Sequence, residues 1–210
     1  MQEKTSPHPN TCQIHRRSFC CWGGVLFALA LLLPGCTKDF SGTTAWEMAA
    51  KPVRHAEVGN TQAIQRLLDD GMDVDSVNMR GSAALMAAAL NGRSETIDFL
   101  LKRGANANAH DVFGHTALML AAKNSRADIA QQLIAASAHI NAVDIYGHTA
   151  LVFAAARGHV DMAAALIDAG ADVNAVDKFG WPVLLHAARR GRVDMVNFLL
   201  GKGARPLEMH

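Results

Sequence analysis

From Thr37 to the C-terminus the chain contains no cysteine; its four thiols are Cys12, Cys20, Cys21 and Cys36. The bulk of the chain therefore carries neither a disulfide framework nor a thiolate metal site. Aromatic residues make up only 6%, so large rings do not build the core. Charged residues are 19% and the formal net charge is +1, which speaks against bulk electrostatic attachment to nucleic acid. No apolar run reaches the ~20 residues that a membrane-spanning helix needs. Also missing are a nucleophile elbow, a P-loop, a dinucleotide fingerprint and a glutamate-flanked zinc helix. What is abundant is the apolar half of the composition, at 50%. It excludes a disordered chain, and its dominant residues, Ala and Leu, favour helices packed through small side chains.

The first 36 residues read as an export signal. Residues 1–18 are polar and carry Lys4, Arg16 and Arg17, and the run from Phe19 to Leu33 has no charge. A basic start, a short apolar stretch and then small residues is the layout of a secretory signal. The segment Leu32-Leu33-Pro34-Gly35-Cys36 resembles the bacterial lipobox. That resemblance implies removal of residues 1–35, lipidation of Cys36, and stable anchoring through more than one acyl chain. Pro34 departs from the usual small residue. Thr37, in place of an Asp, points to the outer membrane, with soluble periplasmic or inner-membrane placement as alternatives. Arg16-Arg17-Ser18-Phe19 reads either as the ordinary basic region or as part of a twin-arginine signal. Residues 36–44 then form a short polar tether.

The remainder repeats every 33 residues. Gly81, Gly114, Gly147 and Gly180 fall in one column, and Leu85, Leu118, Leu151 and Leu184 in another. The pairs Ala88-Ala89, Ala121-Ala122, Ala154-Ala155 and Ala187-Ala188 align, as do Leu67-Leu68, Leu100-Leu101, Leu133-Ile134, Leu166-Ile167 and Leu199-Leu200. A period shared by five units is the signature of a stacked array in which no unit buries its apolar face alone. With DVFGHTAL at 111–118, DIYGHTAL at 144–151 and LIDAGADVNA at 166–175, residues 45–208 resemble the ankyrin repeat. The expected fold is an all-α solenoid of about five helix-turn-helix units joined by β-hairpin loops, at 45–77, 78–110, 111–143, 144–176 and 177–208.

Each column has a physical reason. The hairpin glycine suits a positive φ. Thr116 and Thr149 can cap the first helix of their units, and Gly59, Gly92, Gly158 and Gly191 end it. The Leu pair belongs on the inner face of the second helix, at helical spacing from Ile64, Ile97, Ile129, Met162 and Val196. The family's usual histidine after Thr-x-Leu is replaced by Met86, Met119, Val152 and Leu185, so packing there rests on apolar contact. Ser125 and Ser137 stand where other units have glycine, and Pro182 stands at the capping threonine position.

Candidate chemistry is scarce. His115 and His148 are equivalent positions about 10 Å apart on the ~10 Å sheet-like spacing of stacked units, too far to share one ion at about 2 Å each. No metal, cofactor or catalytic residue is expected. Asp111, Asp144 and Asp177 read as turn formers. In ankyrin proteins partners usually meet the hairpin tips and the exposed end of the first helix. That resemblance nominates Arg80, Phe113, His115, Tyr146, His148, Phe179 and Trp181 at or beside the tips, with Arg157, Arg189 and Arg190 at the helix ends. Phe113 and Tyr146 either anchor a partner or pack on the next hairpin. Arg93, Arg126 and Arg192 lie just beyond the helix ends, so the concave groove should be basic and its partner acidic.

The expected function is thus a monomeric, non-catalytic protein-binding module, exported to the periplasmic face of the outer membrane, with no nucleic acid partner. Membrane contact is through the lipid anchor alone. Resemblance to bacterial envelope ankyrin proteins suggests an exported enzyme or a toxin as client. An envelope stress-protection or toxin-neutralising (immunity) factor is the second reading, and an enzyme with an unrecognised site the third.

Overall fold

The computed structural model describes residues 45–206. The leader, Cys36 and the tether lie outside the described residues. Eleven helices follow one another: α1 (Ala45–Ala49), α2 (Lys51–Val58), α3 (Thr61–Asp69), α4 (Ala84–Asn91), α5 (Ser94–Lys102), α6 (Ala117–Lys123), α7 (Ala127–Ala135), α8 (Ala150–Arg157), α9 (Val160–Asp168), α10 (Val183–Arg189) and α11 (Val193–Gly201). Pairing between extended segments among the described residues is limited to isolated bridges, such as His110 with Thr116. None of these helices is long and apolar enough to cross a membrane. The all-α repeat solenoid expected from the 33-residue period is the fold observed.

Helices of seven to nine residues are marginal in isolation, so packing must hold them. The inner helices stack in order, α2 on α4, α4 on α6, α6 on α8 and α8 on α10. The alanine pairs make this close approach possible: Ala88, Ala89, Ala121, Ala122, Ala154 and Ala155 are completely buried. In the fifth unit Ala187 is buried but Ala188 is exposed, as no inner helix among the described residues covers it. Met86, Met119 and Val152 are buried among apolar neighbours, in the positions where the family's histidine was missing.

The outer helices correct the expected face. In units two to five only the first member of each Leu pair is fully buried, at Leu100, Leu133, Leu166 and Leu199. Leu101, Ile134 and Ile167 are partly buried and Leu200 is exposed. In α11 the fully buried partner is Met195, with Val196 only partly covered. A period of 3.6 residues cannot keep two consecutive side chains equally deep, so one of each pair turns toward solvent.

Helix ends follow their capping chemistry. The Thr116 and Thr149 hydroxyls accept the N–H groups of Met119 and Val152, and Gly59, Gly92 and Gly158 end their helices in the left-handed conformation. In the third unit that conformation falls on Ser125 (φ 55°) and Ser137 (φ 61°), where a Cβ is disfavoured. The arginines just beyond the helix ends are exposed and also reach back onto the preceding unit. Arg93 Nε donates to the Glu57 carbonyl at 3.1 Å, and Arg93, Arg126 and Arg192 lie against Gly59, Gly92 and Gly158 of the preceding unit. A Cβ on Gly92 would sit 2.8 Å from the Arg126 guanidinium carbon. These three side chains latch one unit onto the last.

The third unit should therefore be the weak link. Ser125→Gly and Ser137→Gly are each expected to stabilise the protein by roughly 1 kcal/mol. Leu133→Ala, which empties a fully buried site, should cost about 2–5 kcal/mol. Urea unfolding midpoints measure all three, and amide exchange in α6 and α7 locates them. Serine variants with unchanged midpoints would show that the left-handed positions carry no strain.

Candidate functional site

The candidate site begins at the hairpins. Each opens on Asp or Asn, and its side chain closes the turn. Asp111 Oδ1 accepts the backbone N–H groups of Phe113 and His115, both at 2.9 Å. Asp144 does the same for Tyr146 and His148, both at 2.8 Å, and Asp177 for Phe179 and Trp181. Asn78 plays this part for Arg80 and Ser82. With the turns closed, consecutive hairpins join through their backbones. The N–H groups of Val112, Ile145 and Lys178 donate to the carbonyls of Arg80, Phe113 and Tyr146 at 2.9–3.0 Å. Glycine is required at the tip: a Cβ on Gly147, whose φ is +87°, would lie 2.7 Å from the Lys178 nitrogen.

The second carboxylate oxygen of each aspartate faces a histidine. His115 Nδ1 lies 3.0 Å from Asp111 Oδ2, and His148 Nδ1 3.2 Å from Asp144 Oδ2. Each ring also looks across to the next unit's carboxylate, with His115 Nε2 at 4.0 Å from Asp144 Oδ2 and His148 Nε2 at 3.8 Å from Asp177 Oδ2. Asp177 has a third neighbour, His186 on α10, whose Nε2 is 2.9 Å from Oδ2. Aspartates and imidazoles thus alternate through three units, with Phe153 set edge-on against both His115 and His148.

His186 is the residue that repeat reasoning missed. Its column holds four different residues, Ala87, Leu120, Phe153 and His186, so the period gives it no signature. Burial pulls the His186 imidazole below its usual pKa, against the pull of Asp177 in the other direction, so the ring is neutral near pH 7. Burial alone would raise Asp177. The N–H groups of Trp181 and Phe179 and the His186 ring overcome it and hold the carboxyl below its ordinary value.

The nominated residues fall into two sets. Phe113, Tyr146 and Phe179 are 46%, 48% and 68% exposed, and Arg80, Arg157, Arg189 and Arg190 are exposed as well. His115 and His148 are half-buried and tied to their aspartates. Trp181 is also half-buried, against His186 and Phe179, with the Arg189 guanidinium 4.3 Å above its ring centroid. Charge is segregated. Helices α4, α6, α8 and α10 contain no acid, while Glu95, Asp98, Asp128, Asp161, Asp168 and Asp194 all lie on outer helices. The outer acids serve ion pairs such as Lys102–Asp98 and Lys202–Asp168.

A solenoid of stacked helix pairs with an ordered row of hairpin tips is a repeat protein whose elongated face is available to another molecule. Family comparison agrees: ankyrin repeats described as three copies match residues 48–144, and ankyrin repeats described as many copies match residues 151–200. The chain belongs to the ankyrin repeat family, whose repeats are protein–protein interaction modules and are typically non-enzymatic. No curated protein matches it.

The buried Asp144 holds two backbone N–H groups and faces two imidazoles, so Asp144→Ala should strand both donors. The expected loss is about 1–3 kcal/mol for each stranded group that water cannot reach, with faster amide exchange at Tyr146 and His148. Asp144→Asn, which keeps the Oδ1 acceptor, should recover most of it in thermal unfolding.

Proposed function

We propose that this chain is a lipid-anchored envelope protein that docks an acidic protein partner on its hairpin tips and inner helices, without chemistry of its own. The observation that carries the reading is the charge segregation. Lys123, Arg157, Arg189 and Arg190 stand on or at the ends of helices free of acids, and none of them has a carboxylate partner among the described residues. Unneutralised cations lining one face attract and orient an acidic surface. Phe113, Tyr146 and Phe179 supply exposed rings beside them, the residue type that anchors interfaces. The Trp181–Arg189 stack presents a flat, cationic surface at the fifth unit. Export, lipidation at Cys36 and outer-membrane placement rest on the sequence of the leader alone.

Two experiments test this. Partner capture from an envelope extract, followed by kinetics on the captured protein, should show an acidic client. Arg189→Glu combined with Arg190→Glu should slow association at least about tenfold and flatten its salt dependence. Trp181→Ala should weaken binding by roughly 2 kcal/mol. If Trp181→Ala instead lowers the melting temperature and leaves the affinity of the folded protein unchanged, the ring is a packing residue and the anchor lies elsewhere. For the membrane arm, Cys36→Ser should abolish metabolic labelling with fatty acid, and label retained in that variant would rule Cys36 out as the anchor.

A further inference from the structure

We propose that His148, Asp177 and His186 form a binding site for one divalent transition metal of the zinc class, which clips the fifth unit to the fourth. Their ligand atoms all lie within 4.8 Å of one another. His186 Nε2 is 2.9 Å and His148 Nε2 3.8 Å from Asp177 Oδ2. Around an ion with bonds of about 2.0–2.2 Å, tetrahedral donors stand about 3.4 Å apart, a value these two separations bracket. The third separation, between the two ring nitrogens, lies within 4.8 Å, and metal binding requires the two partly exposed rings to turn toward each other to bring it to the same value.

The hydrogen bonding supplies the second argument. Asp144 Oδ2 stands 3.2 Å from His148 Nδ1, so this carboxylate engages one ring nitrogen and leaves the other, Nε2, turned toward Asp177. His148 Nε2 and Asp177 Oδ2 face each other across 3.8 Å, too far for a direct hydrogen bond. A cation satisfies both. The Asp144–His148 pair also reproduces the carboxylate–histidine arrangement that orients a metal-bound imidazole from behind. At His186 the metal takes the Nε2 lone pair and the ring proton resides on Nδ1, so the imidazole stays neutral. Two nitrogens and one oxygen suit zinc, cobalt and nickel better than calcium or magnesium, and leave at least one coordination position for water.

The repeat provides its own control. At the preceding junction His115 faces Asp144 in the same manner, at 4.0 Å, but the column of His186 holds Phe153 there. His148 Nδ1 also lies near that oxygen, at 3.2 Å, but among the described residues only His148, Asp177 and His186 bring three ligand atoms within 4.8 Å of one another, so that junction is not a site. The same alignment shows why the period concealed the real one. His148 and His186 are not period equivalents, so their proximity leaves no trace in the 33-residue alignment.

The test uses the full chain and Co²⁺ as a spectroscopic probe, with Zn²⁺ in competition. The substitutions are ones the repeat itself accommodates: His186→Leu copies Leu120 and His148→Ser copies Ser82. Wild type and His115→Ser should bind one more equivalent than His186→Leu or His148→Ser, or bind it at least tenfold more tightly. The cysteines at the N-terminus are common to all four proteins and cancel in the comparison. Zn²⁺ should raise the melting temperature and slow amide exchange in α10 and α11 only in wild type and His115→Ser, and chelation should reverse both. Equal binding by all four folded proteins, or equal loss in His115→Ser, overturns the site.

Discussion

The carboxylate or amide that opens each hairpin is the constraint from which the rest of this molecule follows. One oxygen collects two backbone N–H groups and fixes the turn. Only a closed turn places the next hairpin's N–H under the preceding tip carbonyl, and this backbone ladder sets the spacing of the units. The capping threonine comes five residues after the aspartate in units three and four, so the inner helix inherits its position from the same turn. Alanine pairs then let successive inner helices approach, and burial of one large apolar residue per outer helix turn supplies the main driving force. The row of hairpin tips is a consequence, each tied to the next by a backbone hydrogen bond.

The fifth unit departs from this plan in a coordinated way. Pro182 replaces the capping threonine and holds the extended entry geometry (φ −72°, ψ 159°) without a side-chain cap. Proline's restricted φ compensates in part, by limiting the unfolded chain. Trp181 takes the place of the histidine after the glycine, and His186 on the inner helix approaches the Asp177 oxygen that the missing ring would have faced. Trp181 and His186 thus exchange the aromatic and imidazole roles that His148 and Phe153 have in the unit before. The result is one end of the groove where a flat indole, a stacked guanidinium and a paired imidazole meet.

Charge placement separates the two faces. Acids on outer helices engage neighbouring lysines and arginines, and exposed pairs of this kind contribute little to stability. Inner helices α4, α6, α8 and α10 have no acids beside their basic ends. Arg93, Arg126 and Arg192 add exposed charge there while also packing on the preceding unit.

The 33-residue period by itself determined the solenoid, the alanine-mediated stacking, the turn-forming role of the aspartates and the strained serines of the third unit. These are local or nearest-neighbour properties, and a repeat writes them into the sequence once per unit. The exposed tip aromatics were legible for the same reason. What only the tertiary structure decided is where long side chains end. Arg93 and Arg126 reach back onto the preceding unit, and the Leu pairs split between core and surface. His186 meets Asp177 within its own unit and His148 across the unit boundary, from a column that the period does not align with theirs. Such meetings depend on the superposition of two different columns in space, which follows from the stacking geometry and not from the spacing of residues along the chain.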